Sequence, residues 1–127
     1  MKLIVCRHAH SDPGDPDELR PLTARGHEQA RRLGAALAPL APVRVAASPL
    51  LRARETAAAI AKATGAELVI HEGLAPGAGV DDVLAAAEGA EGPVVTVGHQ
   101  PDCSIVAEAL GAGERDFPPA GHVAIEL

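Results

Sequence analysis

Two unbroken apolar runs, Leu3-Ile4-Val5-Cys6 and Val94-Val95-Thr96-Val97, constrain this chain more than any other feature. Both are rich in β-branched residues, and neither alternates between apolar and polar positions. Runs of that kind, bounded by charged or turn-forming residues, are central strands of a parallel sheet buried on both faces. Each run is also followed at once by chemistry: Arg7-His8 after the first, Gly98-His99 after the second.

The rest of the chain fits the same architecture. Residues 43–47, 67–70 and 123–127 read as three more strands, the last at an edge. Between them, Thr23 is placed to N-cap a helix over 24–38 whose apolar stripe is Ala30, Leu33, Leu37 and Ala38. Ser48-Pro49 predicts a cap-plus-N1 start for a helix over 49–63, and Asp81 and Asp82 fall in the first turn of a third. Pro101 opens a fourth helix running to Leu110, and Gly65 and Gly111 are natural stops. Strands alternating with helices predict an α/β three-layer sandwich, with a mostly parallel central sheet flanked by helices. With 127 residues, a single domain over 1–127 is expected, able to bury roughly two-thirds of its unfolded surface. The segment 10–21 is acidic and proline-bearing, hence a solvated loop, with a hinged lid as the sharper reading.

Composition narrows the function. One phenylalanine, with no tryptophan or tyrosine, leaves no stacking platform for single-stranded nucleic acid. A formal charge of −6 argues against nucleic acid or an anionic membrane as partner, while leaving room for a local cationic pocket. No stretch approaches the roughly 18 consecutive apolar residues of a membrane span. The amino-terminal apolar run stops at Arg7, too short for a signal-peptide core. Cys6 and Cys103 lie in apolar segments and read as reduced, buried thiols, so a cytoplasmic protein is expected. Nothing suggests an extended interface, and a monomer is expected.

In parallel sheets, ligands gather outside the carboxyl ends of the strands. Arg7-His8, the Ser48–Arg52 turn and Gly98-His99 all emerge there. Two arginines can hold a phosphoryl group through paired hydrogen bonds, and helix amino termini add free N–H groups. Two histidines remain as nucleophile and electrostatic partner, which makes this a phosphoryl-transfer constellation.

Four segments in order, Arg7-His8-Ala9, Leu22-Thr23-Ala24-Arg25-Gly26-His27-Glu28-Gln29-Ala30, Ser48-Pro49-Leu50-Leu51-Arg52-Ala53-Arg54-Glu55-Thr56-Ala57 and Gly98-His99-Gln100-Pro101, resemble the histidine phosphatase superfamily, which includes phosphoglycerate mutases. The short length and Arg20-Pro21-Leu22-Thr23 look most like its small phosphohistidine phosphatase branch. The resemblance implies that His8 is a nucleophile forming a phosphohistidine intermediate. It implies too that Arg7 and Arg52 clamp the phosphoryl oxygens and that His99 contacts them from the opposite side. No cofactor or metal is implied. The partner is then a phosphorylated protein carrying phosphohistidine, or a small phosphorylated substrate. Many family members carry a glutamate acid after the third strand; here Glu72 and Asp81 are the candidates, and neither matches cleanly. A missing acid suits a phosphoramidate, whose leaving group needs little protonation.

Other residues have competing readings. Arg20 either reaches substrate or pairs with Asp17 or Glu18; Ser11 either caps the loop or touches phosphate; His122 is a candidate for the pocket rim. Arg54, His10, His27 and His71 read as surface residues. His8-Ala9-His10-Ser11-Asp12 fits a metal-hydrolase spacing, but that site would set Arg7 and Arg52 beside a cation they repel. A cysteine phosphatase fails on spacing, because position 12 is Asp12 and position 109 is Ala109. A non-catalytic phosphate-binding relative is the remaining alternative.

Overall fold

The computed structural model describes residues 1–127 as a five-stranded sheet between two helical layers. The strands are β1 (Lys2–Arg7), β2 (Arg44–Ala47), β3 (Glu67–Ile70), β4 (Val94–Gly98) and β5 (His122–Glu126), in the spatial order β3-β2-β4-β1-β5. The first four are mutually parallel, and β5 runs antiparallel to β1. The expected α/β sandwich is the fold observed. The two sequence-marked runs pair directly at its centre, Leu3 opposite Val94 through Arg7 opposite Gly98.

The four helices are α1 (Ala24–Leu37), α2 (Leu51–Thr64), α3 (Val80–Ala87) and α4 (Asp102–Ala109). Strand alternation splits the core in two, because successive side chains face opposite sides. Ile4, Cys6, Val45, Ala47, Val95 and Val97 pack under α1 and α2, against Leu33, Leu37, Ala57 and Ile60. Leu3, Val5, Ala46 and Val94 pack under α3 and α4, against Val83, Cys103 and Val106. The single phenylalanine, Phe117, belongs to this second core. The first two crossovers step across the sheet in one direction and the third returns, so right-handed connections lay one helix pair on each face.

Local chemistry explains the helix ends. Thr23 Oγ1 accepts the Gly26 N–H at 2.9 Å and caps α1. The chain leaves α2 through Gly65 at φ 77°, a left-handed position that a side chain would strain. Asp82 accepts the Gly79 N–H at 2.9 Å at the start of α3. One expectation needs correcting. Ser48 does not cap α2, which begins at Leu51 with Leu50 as the flanking residue. The Ser48 N–H still bonds Val97 O at 3.0 Å, so the sheet's hydrogen bonding extends through Ser48 and the helix starts later. No helix is long and apolar enough to cross a membrane.

Candidate active site

The carboxyl ends of β1, β2 and β4 meet above the middle of the sheet and deliver His8, Ser48 and His99 to one place. Arg7 is the last residue of β1, and Arg52 sits in the first turn of α2. Arg7, His8, Arg52 and His99 line one open, polar cleft, with Arg20 and Asp17 from the acidic loop on its rim. The two imidazole centroids are 5.3 Å apart, their planes tilted by 56°. His8, Arg52 and His99 are buried, although each is polar.

Each side chain is fixed by named partners. His8 Nδ1 lies 2.7 Å from the Ala9 carbonyl oxygen. A carbonyl only accepts, so Nδ1 carries the proton and Nε2 keeps its lone pair. His99 Nε2 lies 2.7 Å from Ser48 Oγ, which also accepts the Leu50 N–H at 3.2 Å. Arg7 Nη1 donates to the Phe117 carbonyl at 3.0 Å. Arg52 Nη1 donates to the Asp17 carbonyl at 2.9 Å, and its Nη2 to Asp17 Oδ2 at 3.2 Å. Thr56 sits one turn beyond Arg52, and its Oγ1 accepts the Ala9 N–H at 3.0 Å while donating to Arg52 O at 2.8 Å. Strand end and helix start are thereby joined by one hydroxyl.

Three buried side-chain nitrogens have no hydrogen-bond partner: Arg7 Nε, Arg52 Nε and His99 Nδ1. Buried polar groups without partners are costly and uncommon, so their grouping in one cleft marks a receptor for an electron-rich ligand. Burial, with the nearby guanidinium groups of Arg52 and Arg7, holds the His8 imidazole down at about 4, against the pull of its Ala9 hydrogen bond. Burial and then proximity to His8 hold His99 down to about 4 as well. Both rings are therefore neutral at pH 7. Hydrogen bonds from Arg20 and Arg52 keep the Asp17 carboxyl below its ordinary range, so it is ionised.

The remaining candidates divide cleanly. Arg20 lines the cleft and makes the expected pair with Asp17, to Oδ1 at 2.9 Å. Its Nη2 also donates to Ser11 Oγ at 3.1 Å and its Nε to Asp12 O at 2.7 Å. Ser11 is thus at the cleft, held by Arg20. His122 is not. It pairs with Cys6 in β5 and its exposed side chain lines a depression against α1, with Gln29 and Arg32. Its strand end is the right one, but its side chain takes the sheet face rather than the strand tip. Glu72 and Asp81 are also outside the cleft. Glu72 is exposed in a short 3-10 turn, and Asp81 lies beside Met1 and Leu127 at the opposite end of the sheet. The loop after β3 reaches the cleft through Pro76 instead, and α3 starts beyond it.

Sequence reasoning missed Asp17 as the partner of Arg52, Ser48 as the partner of His99, and Thr56. It also read His10 as a surface residue, whereas His10 lines the cleft, with its Nδ1 2.8 Å from Thr23 Oγ1. The metal-hydrolase spacing is not assembled, since no group of three His, Cys, Asp or Glu side chains is placed to hold a metal ion. Cys6 and Cys103 are free, buried and in opposite cores. Burial raises both thiols, Cys103 to about 12.

An α/β sheet that gathers two arginines and two neutral histidines in one cleft at its carboxyl edge is built to handle phosphoryl groups. The chain belongs to the histidine phosphatase superfamily (branch 1), whose family model matches residues 3–76. It is a hydrolase of the phosphatase class. An uncharacterized protein of Picosynechococcus sp. (strain ATCC 27264 / PCC 7002 / PR-6) is 34% identical over 90% of this chain and 75% of its own length. The protein histidine phosphatase SixA, solved with tungstate, superposes with a TM-score of 0.87 over 100% of this chain and 88% of its own, at 24% identity. A protein provisionally assigned as phosphohistidine phosphatase SixA, from Agrobacterium tumefaciens, gives 0.82 over 97% and 89% at 25% identity. These structures share the fold of this chain along nearly its whole length.

Proposed function

We propose that the chain removes the phosphoryl group from phosphohistidine in a protein, by two-step transfer through His8. His8 Nε2 attacks phosphorus in line. The Nε2–P bond forms as the P–N bond to the substrate imidazole breaks, and the departing ring keeps the bonding pair and takes a proton from solvent. Water then attacks phosphorus, the P–Nε2 bond breaks, and inorganic phosphate leaves. Arg7 and Arg52 hold the equatorial oxygens, where a loose transition state concentrates charge, and His99 supports them from across the cleft.

One observation carries the reading: His8 is neutral, with its only proton committed to the Ala9 carbonyl, and stands 5.3 Å from a second neutral imidazole between two guanidinium groups. The substrate class is supported by what the cleft offers as acid. Its one carboxyl, Asp17, is ionised and engaged by both Arg20 and Arg52. An alkoxide leaving group demands a proton donor, whereas imidazole departs with far less help.

Alkaline-quench labelling tests this directly. A parallel panel of phosphohistidine protein, phosphoserine peptide and sugar phosphates should show fastest turnover of the first, undiminished by EDTA. An acid-labile, alkali-stable phosphoenzyme should map to His8 and vanish in His8→Asn. Faster turnover of a sugar phosphate, or label at another residue, overturns the reading.

A further inference from the structure

The charges of this chain are segregated by helix layer. α1 and α2 carry six cations against two carboxylates, whereas α3 and α4 carry four carboxylates and no cation. The overall −6 therefore conceals one positive face. Its two carboxylates are already committed. Glu28 is shared by Arg31 and Arg32, and Glu55 accepts the Leu22 N–H at 2.9 Å. Arg25, Arg54 and Lys62 are exposed and make no ion pair at all.

Shape adds to charge. A Cβ at Gly34 would press on Ala63 and on the Ala59 carbonyl, so the glycine lets α1 and α2 approach closely. Ala59 and Ala63 then floor a shallow apolar groove whose sides are Arg31 and Lys62. Lys62 lies ten residues beyond Arg52 on the same helix, ~15 Å along the axis at 1.5 Å per residue. A small ligand in the cleft cannot span that distance, but a folded partner can. The acidic loop carrying Asp12, Asp15, Asp17 and Glu18 borders the cleft at the amino terminus of α2, where Asp17 engages Arg52.

We propose that the α1/α2 face docks an acidic-surfaced protein, which presents its phosphorylated side chain to the cleft at the helix amino termini. This rests on the phosphatase reading above and names the surface of its substrate. The carboxylates of the partner engage Arg31, Arg54 and Lys62, and its apolar contact covers the alanine floor.

The test uses a small acidic helical protein with one surface histidine, phosphorylated with phosphoramidate, and a matched protein whose surface carboxylates are changed to amides. For the wild-type chain, kcat/KM should favour the acidic protein by about tenfold at low salt, and the preference should shrink as ionic strength rises. In Arg31→Glu/Lys62→Glu it should disappear, while turnover of free phosphohistidine stays unchanged. Titration of the unphosphorylated acidic protein reads docking without chemistry, and the same double variant should weaken it by about tenfold. Equal treatment of both proteins by the wild type, or an unaltered preference in the double variant, refutes the docking face. Failure of the wild type to dephosphorylate either phosphorylated protein refutes the substrate reading instead, and the titration still decides the face.

Discussion

Asp17 holds Arg52 twice, through its main-chain carbonyl at 2.9 Å and through its carboxylate at 3.2 Å. The other carboxylate oxygen takes Arg20 at 2.9 Å. The acidic loop therefore does more than connect β1 to α1: it supplies the anion that orients one buried guanidinium and anchors a second at the rim. That same anion competes with any phosphoryl group for Arg52.

Replacing it should expose the competition. Asp17→Asn keeps an acceptor in the same place but removes a negative charge from the cleft. Orthovanadate should bind this variant several-fold more tightly than the wild type at low salt, with the difference narrowing at high salt. Inhibition constants measured at two ionic strengths check it; unchanged or weaker inhibition would show that Asp17 does not oppose the ligand.

Both cleft histidines imply an acid-sensitive protein. In the unfolded chain each titrates near the ordinary 6.5, and in the folded chain near 4. Between those values the unfolded state binds more protons, so stability is fully present above about 6.5 and falls as pH drops toward 4. Each ring contributes about 3 kcal/mol to this loss, the repulsion from His8 being part of the His99 contribution. Urea midpoints at pH 7 and pH 4.5 should differ markedly for the wild type and less for His8→Asn/His99→Asn. The acid limb of kcat/KM should likewise fall nearer 4 than 6.5, in contrast to a solvent-exposed imidazole.

Much of the fold and of the cleft is legible in the sequence. The runs ending at Arg7 and Gly98 read as central strands, and their direct pairing in the structure carries His8 and His99 to one cleft. Asp17 was not legible, because nothing local dictates where a solvated loop turns back; its position follows from Arg20, Ser11 and Arg52 taken together. Ser48 misled for a physical reason. Serine before proline is a strong capping signal, but sheet hydrogen bonding to Val97 outweighs it and frees the hydroxyl for His99. His122 misled differently: its place at a strand end is apparent from sequence, whereas which way its side chain turns depends on its pairing with Cys6.

The Ser48–His99 contact should matter for turnover more than for stability. Ser48→Ala leaves His99 Nε2 without its partner at 2.7 Å and frees the ring to rotate. A mispositioned charge-stabilising group should lower kcat by about tenfold or more with a smaller change in KM. Steady-state kinetics on phosphohistidine decide it, with Ser48→Thr restoring part of the rate where its hydroxyl reaches the ring. Equal rates for Ser48→Ala and the wild type would mean that His99 is held by packing alone.

Thr56 offers the sharpest separation of architecture from chemistry. Its hydroxyl is fully buried and accepts the Ala9 N–H, the main-chain group next to the nucleophile. Thr56→Val keeps the shape and removes the acceptor, stranding a buried donor at a cost of about 1–3 kcal/mol. The same change unpins Ala9, the residue whose carbonyl fixes the His8 tautomer at 2.7 Å. The variant should therefore unfold at lower urea and also lose phosphoenzyme at a given substrate concentration, whereas Thr56→Ser should recover both. If Thr56→Val loses stability but forms phosphoenzyme at the wild-type rate, the hydroxyl supports the fold and His8 is oriented without it.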